Sequence, residues 1–379
     1  MKDLEKRLCN AKCLLDEPFK NKLYGKTTYL FESFNCEKDK IVSLSNNFNI
    51  TNAWMKAHEL IDHFDLIPKG KKDEAFVHFD NASFPGSFIL AAHHHCTSYN
   101  TKYKWFASSL ANDTAEVKDH LEDKYDLRKN YHDNWLMSET NDGDVTNPEN
   151  LLDFQKKMPL VDLYTSDLGF DVSQDYNAQE KLHLTAHYGQ MLSGLMVLKP
   201  GGNFVAKQFT FFQEANLCNI AILTQFFEEV YIAKPTTSKT DNSEIYLVGK
   251  NFSISSPDII PKMLIVLGEA FRNKTQPQSL YGFDKDFASK VAKAAEVLTQ
   301  TQIDKIVLNV DLFNSLLKEV KTKKANPYLL ARDMFKNVRA KELRKWYAKY
   351  KIKKIATSQR LKMKDTFRQL KHSKYRKPR

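Results

Sequence analysis

What most limits the fold of this chain is the rhythm of residues 161–250, where short β-type runs alternate with helix-length stretches. VDLYTSD (161–167) predicts a strand and 178–198 an amphipathic helix; KPGG (199–202) is a stop, and NFVAKQF (203–209) is the next strand. A helix over 214–227 follows, then two closely spaced strands at 228–234 and 244–250. Helices between consecutive strands supply the crossovers that parallel pairing requires, so the pattern specifies an α/β chain with an open, mostly parallel sheet. The last two strands have no helix between them and are expected to finish the sheet as an antiparallel hairpin.

The same reading extends upstream. Ile50, Ala53, Trp54, Ala57, Leu60, Ile61 and Phe64 fall on one helical stripe, with Asn49 or Thr51 as cap and Pro68 beyond the end. AFVHFD (75–80) and YKWFASSL (103–110) are strand candidates, separated by the turn-prone NASFPG and a helix-like SFILAAHH. Residues 113–134 are polar and read as an insertion or surface loop, and residues 1–47 show no clear period. After Pro257 the pattern turns helical, over 284–299, 303–322 and 327–349. The expected organisation is an N-terminal extension (1–47), an α/β body (48–250) and a helical C-terminal region (251–379).

Charge separates these parts. Residues 318–379 carry 23 Lys and Arg against 4 Asp and Glu, whereas the other 317 residues carry 34 against 42. A mildly acidic body bearing a strongly basic segment points to a polyanion, nucleic acid before a membrane surface, although a solvated helical face reads the same way. No run approaches the roughly 18 apolar residues of a membrane span, and MKDLEKRLCN lacks an apolar leader, so neither membrane insertion nor secretion is expected. Cys9, Cys13, Cys36, Cys96 and Cys218 are odd in number and scattered, which suits reduced thiols. Cys9 and Cys13 share a helical face and are expected in the core.

Four polar residues sit awkwardly in structural segments. Lys207 interrupts the apolar run FVAKQF, where burial is costly unless an anion meets it; alone it reads as a lysine snorkelling to water. Asp167 ends a strand, at the crevice where open sheets bind ligands, or else caps a helix. Glu244 opens a strand after TTSKTDNS, and Lys56 lies beside the first helical stripe. The run His93-His94-His95 and the pair His183/His187 have no supporting carboxylate at a zinc-enzyme spacing, so no metal is expected.

Taken in order, Lys56, Asp167, Lys207 and Glu244 resemble the Lys-Asp-Lys-Glu tetrad of the FtsJ-type RNA 2′-O-methyltransferases. The branch acting on capped mRNA, in eukaryotes and large DNA viruses, is the most similar. The shared segments are AWMKAHEL, DGDVTNPEN, SDLGFD, LKPGGNFVAKQF and KPTTSKTDNSEIYLVGK, over roughly 48–250. The resemblance implies a Rossmann-like fold, S-adenosylmethionine as cofactor, and transfer of its methyl group to a ribose 2′-hydroxyl near an mRNA cap. It implies catalytic roles for the four residues and cofactor contacts from Ser83, Phe84, Pro85, Gly86, Asp144 and Asp167. HFDNASFPGSF departs from the family's Pro-Gly-Gly-Phe or Pro-Gly-Ala-Phe by Phe84 and Ser87. An enzyme of ribosomal or transfer RNA, or a catalytically degenerate RNA-binding scaffold, are the alternatives. The expected partner is RNA, with a protein subunit as a further candidate. The expected location is intracellular: cytoplasm, viral factory or virion for a virus, nucleus for a eukaryote.

Overall fold

The computed structural model describes residues 1–34, 37–71, 73–111, 123–170 and 178–364. Cys36, residues 113–122 of the polar stretch, and the end of the basic segment with Phe367 lie outside the described residues.

Six strands form one sheet: β1 (Phe76–Asn81), β2 (Tyr103–Ala107), β3 (Val161–Ser166), β4 (Leu198–Gln208), β5 (Phe227–Ala233) and β6 (Ile245–Phe252). Their order is β2-β1-β3-β4-β6-β5. The first four are mutually parallel, while β6 runs antiparallel to both β4 and β5. The α/β class and the antiparallel finish are therefore as the alternation specifies. One detail differs. The chain makes β6 the inner member of the closing hairpin, inserted between β4 and β5.

Before β1 lie α1 (Lys2–Cys13), α2 (Asp16–Lys20), α3 (Tyr24–Phe31), α4 (Lys38–Ser45) and α5 (Asn52–His63). Between strands come α6 (Ser87–Ser98), α7 (Leu127–Asn130), α8 (Pro148–Lys157), α9 (Gln179–Val197) and α10 (Glu214–Leu223). Beyond the sheet follow α11 (Ile259–Asn273), α12 (Lys285–Lys323) and α13 (Pro327–Lys349). The segment read as two helices, 284–299 and 303–322, is one continuous α12. Thr299 to Gln302 contain no Gly or Pro to break it, and Asp284 caps its start by accepting from Phe287 N–H. KPGG does not precede β4 but lies within it, as an irregularity: Val161 pairs with Leu198, whereas Leu163 already pairs with Asn203. The intervening residues bulge out, with Gly201 at φ +79°.

The sheet is packed on both faces. Phe79, Phe154, Tyr164, Leu192 and Phe204 belong to one core, and Trp54, Ala57, Leu163, Val205 and Val248 to the other. The aperiodic N-terminus folds because its apolar residues are completed by distant partners. Tyr24 and Phe31 pack with Phe313, Leu316 and Phe335 of α12 and α13, and Leu8 and Ala11 pack with Ile306. Cys9 is only partly buried and Cys13 is exposed, so the core placement expected for Cys13 is wrong. The contact of α1 with Ile306 of α12 is made by Leu8 and Ala11, and Cys13 at the end of the helix lies outside it. Among the described residues no helix is long and apolar enough to cross a membrane.

Candidate active site

The chain runs from β1 out to β2 and then back across to β3, so the crevice at the carboxyl ends of β1 and β3 is where an open sheet accepts ligands. Register brings the chemistry there. Ser166 of β3 pairs with Ala206 of β4, which sets Asp167 beside Lys207. Antiparallel pairing of Lys207 with Tyr246 puts those two side chains on one face. Helix α5, started by Thr51 accepting from Trp54 N–H at 3.0 Å, lies over that face and delivers Lys56.

The four residues form two ion pairs. Lys56 Nζ lies 2.7 Å and 2.8 Å from the two carboxylate oxygens of Glu244. Ser238 Oγ donates to Glu244 as well, at 2.6 Å. Lys207 Nζ lies 3.3 Å from Asp167 Oδ1 and donates to the Asp167 backbone oxygen at 2.8 Å. Tyr246 OH donates to that same Oδ1 at 2.7 Å. Burial opposes the charge on Lys56, but Glu244 and then Asp167 outweigh it and hold the ammonium above its ordinary value. Burial likewise pushes the Glu244 carboxyl up, but Lys56 and then Lys207 win and bring it down to about 2. The two pairs thus feel each other as one network.

Several contributors were not legible as site residues. Lys234 donates to the Glu244 backbone oxygen and to Asn242, and burial lowers its ammonium to about 8 against the pull of Glu244. Glu59, one turn after Lys56, accepts from Thr236 N–H, Thr237 N–H and the Thr237 hydroxyl, and from Trp346 Nε1 of α13 at 3.3 Å. It thereby fastens the loop that carries Ser238 to α5. A Cβ on Gly169 would stand 2.9 Å from Lys207 Nζ, so a side chain there would push the lysine tip aside. Tyr246 alone had a sequence signal, since it shares a strand face with Glu244 at the two-residue period.

The residues expected around the cofactor fall at the ends of β1 and β2. Ser83 Oγ donates to Asp80 at 2.6 Å, and Phe84 stacks on Trp135 with ring centres 4.6 Å apart while its N–H donates to Ser109 Oγ. Pro85 follows Phe84, and Gly86, at φ +103°, opens α6. Asp144 accepts from the N–H and hydroxyl of Thr146, holding the turn after Gly143. Asp80 itself is 1 % exposed; among the described residues its carboxylate accepts from Ser83 and Thr165 and has no ion pair. Burial pushes its carboxyl up to about 7. His94, His95, His183 and His187 are buried and His93 is half-buried, and among the described residues no group of three or more His, Cys, Asp or Glu is placed to hold a metal ion.

Residues 50–252 match the family described as FtsJ-like methyltransferase. The chain belongs to that family. A protein of African swine fever virus named "Probable methyltransferase EP424R" (Namibian warthog isolate) is 33% identical over 331 residues, covering 82% of this chain and 74% of that protein. Its counterpart from a Kenyan pig isolate is 41% identical over 216 residues, 53% of this chain and 49% of that one. The mouse cap-specific mRNA (nucleoside-2′-O-)-methyltransferase 2 is 30% identical over 283 residues, 70% of this chain and 36% of that protein. The matches therefore span half to three quarters of the viral relatives and about a third of the mouse one.

FtsJ-like methyltransferases use S-adenosylmethionine, and the crevice suits it. A sulfonium is a cation, and Asp167, a carboxylate 21% exposed, directly follows the end of β3, with Asp80 buried one residue before the end of the adjacent β1 and without an ion-pair partner among the described residues. The amino terminus of the twelve-residue α6 opens beside them for an anionic group.

Proposed function

We propose that this chain methylates the ribose 2′-hydroxyl of nucleotides next to the cap of mRNA. The observation that carries the reading is the Lys207–Asp167 pair at the crevice, buttressed by the sealed Lys56–Glu244 pair. S-adenosylmethionine supplies, when bound, a methyl group activated by its sulfonium. The rest is the work of the chain. Lys207 stands against the 2′-oxygen; once it has released its own proton to solvent, its neutral amine takes the hydroxyl proton, since a hydroxyl is a poor nucleophile at neutral pH. Asp167 orients Lys207 through two contacts and places a negative charge near the sulfonium. Lys56 and Glu244 hold the ribose side of the network, so that the oxygen lies in line with the methyl carbon. The basic C-terminal segment holds the RNA backbone.

The cap preference rests on the activity for which the mouse relative is named and on the tetrad order. The test is transfer from labelled S-adenosylmethionine to one short RNA in capped, uncapped and capped 2′-deoxy forms. Label on the capped ribose form alone is expected. Label on capped and uncapped RNA alike would make the substrate RNA in general, and label on the 2′-deoxy form would remove the ribose oxygen as acceptor.

A further inference from the structure

Phe170 is a large aromatic side chain that is 48 % exposed, three residues beyond Asp167. Its neighbour Gly169 abuts the Lys207 ammonium so closely that an added Cβ would come within 2.9 Å of it. The Phe170 backbone is therefore one residue from the point where the chain passes the reactive lysine. Folding gains little from leaving an aromatic face in water at such a place.

The ring is also held. One face lies flat on His183, with centroids 3.8 Å apart and planes 9° from parallel. His183 is fixed at both nitrogens: Nδ1 donates to the Gln179 carbonyl at 2.8 Å, and Nε2 accepts from Phe170 N–H at 3.1 Å. Those two bonds define the neutral tautomer with its proton on Nδ1. Behind His183 stands buried Phe209 at 4.6 Å, and the Lys207 ammonium lies 6.0 Å from the Phe209 ring centre. Lys207, Phe209, His183 and Phe170 thus form a chain of contacts from the reactive nitrogen to the surface, edge-to-face between Phe209 and His183 and stacked between His183 and Phe170. A rigid aromatic face with few rotamers to lose is what a nucleobase stacks on, whatever the base.

We propose that Phe170 is a nucleobase-stacking platform for the nucleotide whose ribose meets Lys207, with His183 as its positioning residue. The proposal rests on the RNA reading above and adds where the target base goes. A sugar at Lys207 carries its base outward from the ammonium, and Phe170, the exposed end of that chain of rings, offers the aromatic face for it. Because stacking is indifferent to base identity, the site would accept any base at that position.

The experiment places 2-aminopurine at the target position of a short capped RNA and reads its fluorescence on binding, together with KM and kcat for methyl transfer. In the wild type, binding should quench the fluorescence. Phe170→Ala and Phe170→Leu should lose the quenching and raise KM for RNA about ten-fold, the size of one lost base–aromatic contact. Affinity for S-adenosylmethionine should be unchanged, and Phe170→Trp should restore both readouts. Should Phe170→Ala fold poorly, Phe170→Leu keeps the apolar contact with His183 and removes only the aromatic face.

Quenching and KM preserved in Phe170→Leu would overturn the proposal, as would a loss of cofactor affinity equal to that of RNA. Wild-type quenching without methyl transfer would defeat the enzymatic reading and leave the stacking site standing. A wild type that leaves 2-aminopurine unquenched while methylating the RNA would defeat the platform alone.

Discussion

The two lysine–carboxylate pairs use the same chemistry in different settings. Lys56 and Glu244 are 11% and 10% exposed, meet through both carboxylate oxygens, and are backed by Ser238 and Lys234. Lys207 and Asp167 are 12% and 21% exposed, meet through one oxygen at 3.3 Å, and share it with Tyr246. In the first pair both carboxylate oxygens are engaged, and the Lys56 ammonium keeps one N–H for the ribose side. In the second, Lys207 and Tyr246 both meet Asp167 at Oδ1, and among the described residues no hydrogen bond reaches its other carboxylate oxygen. A buried ion pair repays its desolvation only when fully partnered. The contrast therefore assigns the closed pair to holding the site and the open pair to reacting.

The strongest way to break this contrast is Lys56→Met. Leaving Glu244 buried without its partner should cost about 3–5 kcal/mol in urea unfolding. Lys56→Met with Glu244→Met should recover most of that stability, because no uncompensated charge remains, yet should stay inactive. A single variant that is as stable as wild type would show the pair to be slack.

Acid offers a graded version. The folded-state Glu244 value of about 2 lies below the ordinary carboxyl value of 4.5, so its stabilisation is full above 4.5 and is lost as pH falls from 4.5 toward 2. The stability difference between wild type and Glu244→Gln should be level above pH 5 and shrink on acidification, by up to roughly 3 kcal/mol for the whole shift. A difference that does not change with pH between 5 and 3 would mean that the carboxylate gains nothing from Lys56. The smallest effect belongs to the open pair's third member. Tyr246→Phe removes a single hydrogen bond to Asp167, worth about 1 kcal/mol, and should slow methyl transfer only several-fold with little change in melting.

The sheet was legible because alternation of strand and helix is a local property, and the ends of β3 and β6 fell close to where their hydrophobic runs end. Lys207 and Asp167 were legible for a related reason, as polar residues interrupting or ending apolar strands. The helices of the first 47 residues were not legible. Tyr24 and Phe31 have no amphipathic period of their own, and they become core only against Phe313 and Phe335, some 300 residues away. Lys234 and Glu59 hid for the opposite reason. Each is an ordinary charged residue in sequence, and becomes a strut only when the loop 235–243 folds back onto α5. Asp80 lay in plain view in HFDNASF, but its want of a countercharge appears only once β1 is buried between β2 and β3.

The most direct test is the single-turnover rate of methyl transfer to capped RNA by wild type and Lys207→Ala, with cofactor affinity measured beside it. The account predicts a fall of about 10²–10⁴-fold, the range for a positioned proton-transfer group, with cofactor affinity and melting little changed. A rate within a few-fold of wild type would contradict it, and would move the reacting role away from the open pair.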